Sequence, residues 1–214
     1  MQAARGTSVG GDATSGVARQ RARAWFAVVA LLAYTVDQVS KVVAVAQLEG
    51  RADVQVVGDL LQLNLIRNPG AAFSLGSGLT PYLSGLAVVA ALVVLWFARH
   101  LGSVAWSVAL GLLLAGVTGN LTDRLLREPG VFQGHVIDFL ELPNWPVFNV
   151  ADICINLAAV LIIVQAFRGI RLDGTREGDH EARGATTGST TGSTTGSTTG
   201  ATDQSNTDLE VDSE

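Results

Sequence analysis

The sequence predicts an all-α polytopic membrane protein with four transmembrane helices and a small extracytoplasmic loop that contains β-structure. Two observations favour this class. Of the 214 residues, 48% are hydrophobic and only 15% are charged, whereas a soluble domain carries about 25% charged residues. The apolar residues also gather in four runs, each close to the ~20 residues that a helix needs to cross a bilayer.

The four apolar runs cover residues 24–47, 81–98, 103–121 and 147–168. The third run carries Gly111, Ala115 and Gly119 at four-residue spacing, which is typical of membrane helices that pack closely. We expect residues 23–170 to form one membrane domain. The flanking segments 1–22 and 171–214 are rich in Gly, Ser and Thr and are predicted to be disordered, the second ending in an acidic tail.

Basic residues flank the four runs on one side of the predicted bundle. They are Arg19, Arg21, Arg23, Arg99, His100, Arg168, Arg171 and Arg176. Because short cytoplasmic segments of membrane proteins are enriched in Lys and Arg, we expect both termini to be cytoplasmic. No small-x-small cleavage site follows the first run, so it is predicted to remain as an uncleaved anchor. The loops 48–80 and 122–146 then face the outside.

The first outer loop carries the pattern of a strand followed by a turn. Leu61, Leu63 and Leu65 alternate with Gln62 and Asn64, which is the period of an amphipathic strand. An Asn-Pro-Gly sequence follows at residues 68–70 and gives a strong turn signal. We expect residues 60–66 to belong to a small sheet on the membrane surface.

Composition argues against several other classes of function. The single cysteine, Cys154, excludes an internal disulfide, and the three histidines have no metal-site spacing. No basic patch with interleaved aromatic residues supports nucleic-acid binding. We therefore expect no metal, no cofactor and no nucleic-acid partner.

Three aspartates, Asp123, Asp138 and Asp152, lie where the apolar runs meet the predicted outer surface. Acidic residues are costly to bury at a membrane, so such residues are candidates for function. Asn120 precedes Asp123 by three residues, and Asn149 precedes Asp152 by three, so two antiparallel helices could bring both pairs together. For Asp152, capping of a helix N-terminus is an alternative role. Asp138 lies among apolar neighbours, which indicates a carboxyl group facing inward.

Paired carboxylates in a poorly solvated site have a known chemical use. Two close acids share a proton, so one can take a proton from water while the other donates to a carbonyl oxygen. This is the chemistry of an aspartic protease, but the residues alone leave open which two of the three aspartates act. A proton pathway through a small transporter and a non-catalytic scaffold with a polar network remain alternatives.

Asp37 and Lys41 lie four residues apart within the first apolar run. On a helix they share one face, with the acid in the favourable N-terminal position. They are either a self-neutralising pair that fixes helix packing or a pair that also borders the functional pocket.

Five motifs together resemble bacterial lipoprotein signal peptidases (signal peptidase II). They are DQVSK (37–41), NPGAAFS (68–74), GNLTDR (119–124), GHVIDF (134–139) and FNVADI (148–153), in family order with four apolar runs between them. The segment between Asp123 and Asp138 is longer than the common form, so we expect an expanded outer loop at residues 126–133.

The resemblance implies an aspartic endopeptidase of the bacterial cytoplasmic membrane. It would remove signal peptides from diacylglyceryl-modified prolipoproteins, cleaving before the lipidated cysteine at the outer face. Carried over to this sequence, the catalytic pair is Asp138 and Asp152. The supporting and substrate-binding positions are Asp123, Arg124, Asn120, Asn149, Asn68, Asp37 and Lys41. The expected partners are the prolipoprotein and the lipid bilayer, with the chain itself a monomer.

Overall fold

The computed structural model describes residues 10–70 and 79–176. Its elements in chain order are α1 (Gly10–Leu48), β1 (Val54–Val57), β2 (Leu61–Asn68), α2 (Thr80–Ala98), α3 (Val104–Leu126), β3 (Val136–Glu141) and α4 (Val150–Phe167). All four helices are long and apolar enough to cross a membrane. The prediction of four spans is confirmed.

Helix α3 lies at the centre of the bundle and contacts the other three helices. Its small residues permit close approach: a Cβ on Gly116 would lie 2.5 Å from the Ala151 carbonyl oxygen of α4. A Cβ on Gly111 would lie 3.0 Å from the Phe26 carbonyl oxygen of α1. Gly111 belongs to the predicted small-residue face, which therefore serves helix packing, whereas Gly116 was not part of that prediction. Helix α1 runs parallel and α4 antiparallel to α3.

The outer faces of the helices are apolar, and much of the buried interior is polar. Leu31, Leu86 and Val160 are exposed, whereas Asp37 and Lys41 are buried. This distribution reverses that of a soluble protein and fits a lipid environment, in which apolar surface needs no protein cover.

The three strands form one antiparallel sheet in the order β1-β2-β3. Strand β2 contains the predicted strand 60–66 almost entirely, and it pairs with β3, which lies between α3 and α4, with Ile66 opposite Asp138. Ile137 and Phe139 of β3 are buried against Ala44 and Leu48 at the end of α1. This packing holds the sheet at the end of the bundle where α1 and α3 finish.

Two boundaries differ from the predictions. Helix α1 begins at Gly10, so residues 10–22 are helical, although the sequence predicted disorder there. The segment 18–24 contains Ala, Arg and Gln, which are strong helix formers, and it continues directly into the span.

At the other end, residues 171–176 form a turn bound to the α2–α3 connection. The Gly102 amide donates to the Leu172 carbonyl at 2.9 Å, and the Leu172 side chain packs beside buried Leu101. Burial of Leu172 explains why this stretch does not belong to the predicted disordered tail. The rest of that tail and residues 1–9 lie outside the described residues, so disorder there stays a prediction.

Candidate active site

A buried lysine joins α1 to α3 at one end of the bundle. The Lys41 ammonium is fully buried and lies 3.0 Å from an Asp37 carboxylate oxygen and 2.8 Å from one of Asp123. It also donates to Asn120 Oδ1 at 2.9 Å. An ammonium group has three hydrogens, so Lys41 has a partner for each. The four-residue spacing predicted the contact of Asp37 with Lys41, which the structure confirms, whereas the contacts of Lys41 with Asp123 and Asn120 were not predicted.

The two acids that neutralise Lys41 also fix neighbouring elements. Asp37 Oδ1 accepts from the Ala151 amide at 2.8 Å, which attaches the start of α4 to α1. Asp123 Oδ1 accepts from Arg127 Nε at 2.5 Å, and Asp123 Oδ2 accepts from the Ile137 amide of β3 at 3.3 Å. Since buried charges are tolerated only when paired and hydrogen-bonded, this arrangement stabilises the junction of four elements: α1, α3, β3 and α4.

Two asparagines link this lysine cluster to the other two aspartates. Asn120 Nδ2 donates to Asp152 Oδ1 at 2.9 Å. Asn149 Nδ2 donates to Asn120 Oδ1 at 3.1 Å and to Asp138 Oδ1 at 2.6 Å. Because the ammonium of Lys41 can only donate, it fixes the oxygen of Asn120 toward itself and the amide nitrogen toward Asp152.

Asp152 also takes part in a capping box at the start of α4. Its Oδ2 accepts from the backbone N–H of Asn149 at 3.1 Å, and Asn149 Oδ1 accepts from the backbone N–H of Asp152 at 3.1 Å. The capping role considered from the sequence is therefore present, with one oxygen used for the cap. The other oxygen faces Asn120, so the cap fixes the orientation of the carboxylate.

Asp138 is held in β3 by side chains from two other elements. Asn68 of β2 donates to Asp138 Oδ2 at 2.9 Å, and Asn149 donates to the other oxygen. The carboxyl group is only 3% exposed. Burial raises the pKa of Asp138 to about 6, opposed by the hydrogen bond from Asn68 and assisted by the charge of Asp152. A carboxyl group with this pKa can carry a proton near neutral pH.

Both carboxylates border one cavity of about 480 Å³. Its polar lining consists of Asn68, Asn120, Arg124, Asp138, Asp152 and Asn156, together with Gly70. Its apolar lining runs along α4 through Ile153, Leu157 and Val160, side chains that are also exposed on the outside of the helix. The cavity therefore joins a polar site to the lipid-facing surface.

Arg124 extends from the last turn of α3 into this cavity. Its two terminal nitrogens donate to the Asn120 carbonyl at 3.3 Å and to the Gly70 carbonyl at 3.2 Å. Its Nε is buried and has no hydrogen-bond partner among the described residues. A buried donor without a partner is costly, which favours a ligand acceptor at this position.

The structure thus brings all nine predicted site residues into one connected network. Five of them line the cavity, and Asp37, Lys41, Asp123 and Asn149 lie behind these as support. Arg127, which binds Asp123, was not predicted from the sequence. The four-residue spacing from Asp123 to Arg127 was the available signal. Within residues 10–70 and 79–176, no group of three His, Cys, Asp or Glu side chains could hold a metal ion.

Four apolar helices around a buried polar network define a multi-pass membrane protein with a site at one end of the bundle. A solved structure described as a bacterial membrane enzyme shares this fold, with a TM-score of 0.59 and 26% identity. That alignment covers 66% of this chain and 87% of the other.

The family model described as signal peptidase (SPase) II matches residues 29–168. A lipoprotein signal peptidase of Leifsonia xyli is 48% identical over 157 residues, covering 73% of each chain. Another from Streptomyces griseus is 42% identical, covering 81% of this chain and 91% of that relative. The chain therefore belongs to the signal peptidase II family and is a protease. This confirms the family resemblance, and the transporter and scaffold alternatives are not favoured.

Proposed function

We propose that this chain is an aspartic-type endopeptidase in which Asp138 and Asp152 activate a water molecule. As a signal peptidase II, the chain removes signal peptides from prolipoproteins. The finer proposal is that the substrate carries a diacylglyceryl group and is cleaved before its lipidated cysteine. We also propose that the protein lies in the bacterial cytoplasmic membrane, with both termini in the cytoplasm and the site at the outer face.

The arrangement of Asn149 and Asn120 supports this proposal above other observations. The buried Asn149 amide donates to Asp138, and Asn120 donates to Asp152, while the two amides also contact each other. The carboxylates are thereby directed to one cavity by donors that cannot rotate freely. Each carboxylate oxygen accepts one hydrogen bond from the protein and retains a lone pair for water.

The chemistry divides between the two acids. The ionised carboxylate removes a proton from the water molecule, and the oxygen of that water attacks the scissile carbonyl carbon. The protonated carboxyl group donates its proton to the carbonyl oxygen, which gives a tetrahedral intermediate with two hydroxyl groups. The carboxyl group that took the proton from water then donates it to the leaving nitrogen as the C–N bond breaks, while the other carboxylate regains a proton from a hydroxyl of the intermediate. The raised pKa of Asp138, about 6, supports this residue as the carrier of the shared proton.

Arg124 and Asn68 are the proposed peptide-binding groups. Both line the cavity beside the two acids, and the unpaired Nε of Arg124 offers a donor to a substrate carbonyl. The apolar lining along Ile153, Leu157 and Val160 suits a signal helix or an acyl chain that remains in contact with lipid.

The test compares single Asp→Asn variants in detergent on a lipidated prolipoprotein. We expect Asp138→Asn and Asp152→Asn to lose about 10²–10⁴-fold in turnover, as for removal of a general acid or base. Asp123→Asn should instead mainly lower the melting temperature, because Asp123 contacts Lys41 and Arg127 rather than the cavity. Asp59→Asn, an exposed acid in the outer loop, is the matched control.

Thermal melting separates lost chemistry from lost structure. Cleavage that persists in a folded Asp138→Asn or Asp152→Asn protein would exclude that residue from catalysis. Loss of cleavage in Asp123→Asn at unchanged melting temperature would make Asp123 a member of the pair instead.

A further inference from the structure

A second cavity lies at the opposite end of the bundle from the two carboxylates. It has a volume of about 430 Å³. The charged and titratable residues that line it are Arg19, Arg23, Arg99, His100, Arg171 and Asp173. They come from three separate parts of the chain: the start of α1, the α2–α3 connection and the turn after α4. Within residues 10–70 and 79–176, four guanidinium groups and one carboxylate line this cavity, so its described lining is cationic.

The fold holds these parts together through backbone contacts. The Arg23 guanidinium donates to the Arg99 carbonyl at 2.8 Å. The amides of Gly102 and Ser103 both donate to the Leu172 carbonyl, and Trp106 Nε1 donates to the Ile170 carbonyl at 2.8 Å. This turn brings Arg171 to the same cavity as Arg99.

Gly102 shows how close this approach is. A Cβ at that position would collide with the carbonyl of Asp173. Among the described residues that line the cavity, Asp173 carries the one carboxylate, and its Oδ1 accepts from the Thr175 amide at 3.0 Å and from the Thr175 hydroxyl at 2.8 Å. The fold therefore holds the cation-rich lining together at this end of the bundle, where the side chains of Arg19, Arg23 and Arg99 are exposed.

The position of the cavity matches the headgroup region of a bilayer. Arg23 and Lys41 lie 18 residues apart on α1, which at 1.5 Å per residue is about 27 Å, close to the hydrocarbon thickness. Exposed aromatic side chains mark the same depth on three helices: Trp25, Trp96 and Phe167. Tryptophan and similar rings gather at the membrane–water interface.

We propose that this cavity binds the phosphate group of an anionic membrane lipid. Guanidinium groups bind phosphate through paired, charge-assisted hydrogen bonds, and basic pockets between membrane helices suit anionic headgroups. The acyl chains would lie along the apolar outer faces of the helices below the ring of aromatic residues. Such a lipid joins the start of α1, the α2–α3 connection and the turn after α4, and so stabilises the bundle at the end remote from the acids.

The test uses two double variants that remove the same charge. Arg19→Gln with Arg99→Gln removes two cavity arginines and leaves the Arg23 contact with the Arg99 carbonyl in place. Arg21→Gln with Arg168→Gln removes two arginines that flank the same end but do not line the cavity. The full-length proteins are placed in nanodiscs of zwitterionic lipid with or without phosphatidylglycerol, and bound lipid is counted by native mass spectrometry alongside thermal melting.

We expect the wild type and the Arg21/Arg168 variant to retain one phosphatidylglycerol and to melt at higher temperature when it is present. The Arg19/Arg99 variant should bind it about 30-fold more weakly and show little thermal shift. Equal losses in both variants would overturn the proposal in favour of diffuse surface charge. Inorganic phosphate alone producing the full thermal shift would overturn the lipid assignment, and no retained lipid in the wild type would overturn the site itself.

Discussion

The two ends of the bundle solve the problem of charge at a membrane in opposite ways. At one end, Asp37, Lys41 and Asp123 are buried and joined by short, directed contacts. At the other end, arginines such as Arg19 and Arg99 are exposed around an open cavity. The first arrangement depends on directed contacts between buried groups, and the second on exposed arginines that line a cavity. Substitutions should therefore have large effects on folding at the first end and mainly affect ligand binding at the second.

The largest effect on stability is expected for Lys41→Met. The substitution leaves Asp37 and Asp123 buried without their shared cation, which costs about 3–5 kcal/mol when one partner of a buried pair is removed. The matched control is Arg67→Met, which breaks the exposed pair with Glu49 and should cost no more than about 1 kcal/mol. Thermal or denaturant unfolding in detergent measures both, and equal losses would contradict the contrast between buried and exposed pairs.

Two substitutions of Asn149 separate its structural role from its positioning role. Asn149→Ala removes the N-cap of α4, which should lower the free energy of unfolding by about 0.5–2 kcal/mol. It also removes the donor to Asp138, so most of the turnover should be lost. Asn149→Ser keeps a capping oxygen but is too short to reach Asp138. We expect the serine protein to melt near the wild-type temperature and yet to cleave slowly.

The KM and kcat of the Asn149→Ser protein sharpen this result. A kcat loss at unchanged KM is expected from a residue that orients Asp138 without contacting the substrate. Full activity in Asn149→Ser would show that only the cap matters.

Gly119→Ala tests how closely α3 must approach the lysine cluster. A Cβ at this position would lie 2.5 Å from Asp37 Oδ2, so Asp37 must shift away from Lys41. We expect a loss of about 1–3 kcal/mol, typical of overpacking, together with reduced turnover. Gly85→Ala on α2 is the control because its Cβ would meet nothing within 4 Å. Similar melting temperatures for both variants would mean that the cluster tolerates rearrangement.

The smallest effect concerns the pH dependence of the pair. The pKa of Asp138 is raised from 3.8 to about 6, chiefly by burial, so the folded protein binds a proton that the unfolded chain has released. Stability should therefore fall as pH rises from about 4 to about 6. Asp138→Asn should flatten this dependence in melting curves measured across that range. An unchanged slope in the variant would assign the titration to another group.

The same pKa predicts the pH profile of cleavage. The protonated member of the pair is depleted above about pH 6, so turnover should decline on the alkaline side with that apparent pKa. If turnover instead falls only at the pH at which the protein denatures, the result would argue against a shared proton.

The sequence predicted the parts of the molecule that rest on periodicity and local spacing. The four spans, the strand around residues 60–66 and the contact between Asp37 and Lys41 all follow from repeats within one element. The paired Asn and Asp spacings at the ends of α3 and α4 likewise predicted the meeting of Asn120 with Asp152. The identity of the catalytic pair came from the resemblance to a family and stays a prediction.

The pairing of β2 with β3 could not be predicted from the sequence. Strand β3 was not predicted as a strand, because a short apolar run such as HVIDFL fits a strand, a short helix or a buried loop equally well. Its partner β2 lies some 70 positions earlier, and only the folded sheet brings Asn68 to Asp138. The ordered turn at residues 171–176 escaped prediction for a similar reason, since it depends on Leu172 packing beside the distant Leu101.

The apolar strip that continues from the cavity along Ile153, Leu157 and Val160 determines which substrate concentration sets the rate of encounter. A substrate that arrives sideways within a bilayer diffuses in two dimensions, so its mole fraction among lipids takes the place of bulk molarity. Adding empty micelles or vesicles lowers that surface density while the total concentration in the tube stays constant. Cleavage rates can therefore be compared only when they are measured at the same ratio of substrate to lipid or detergent.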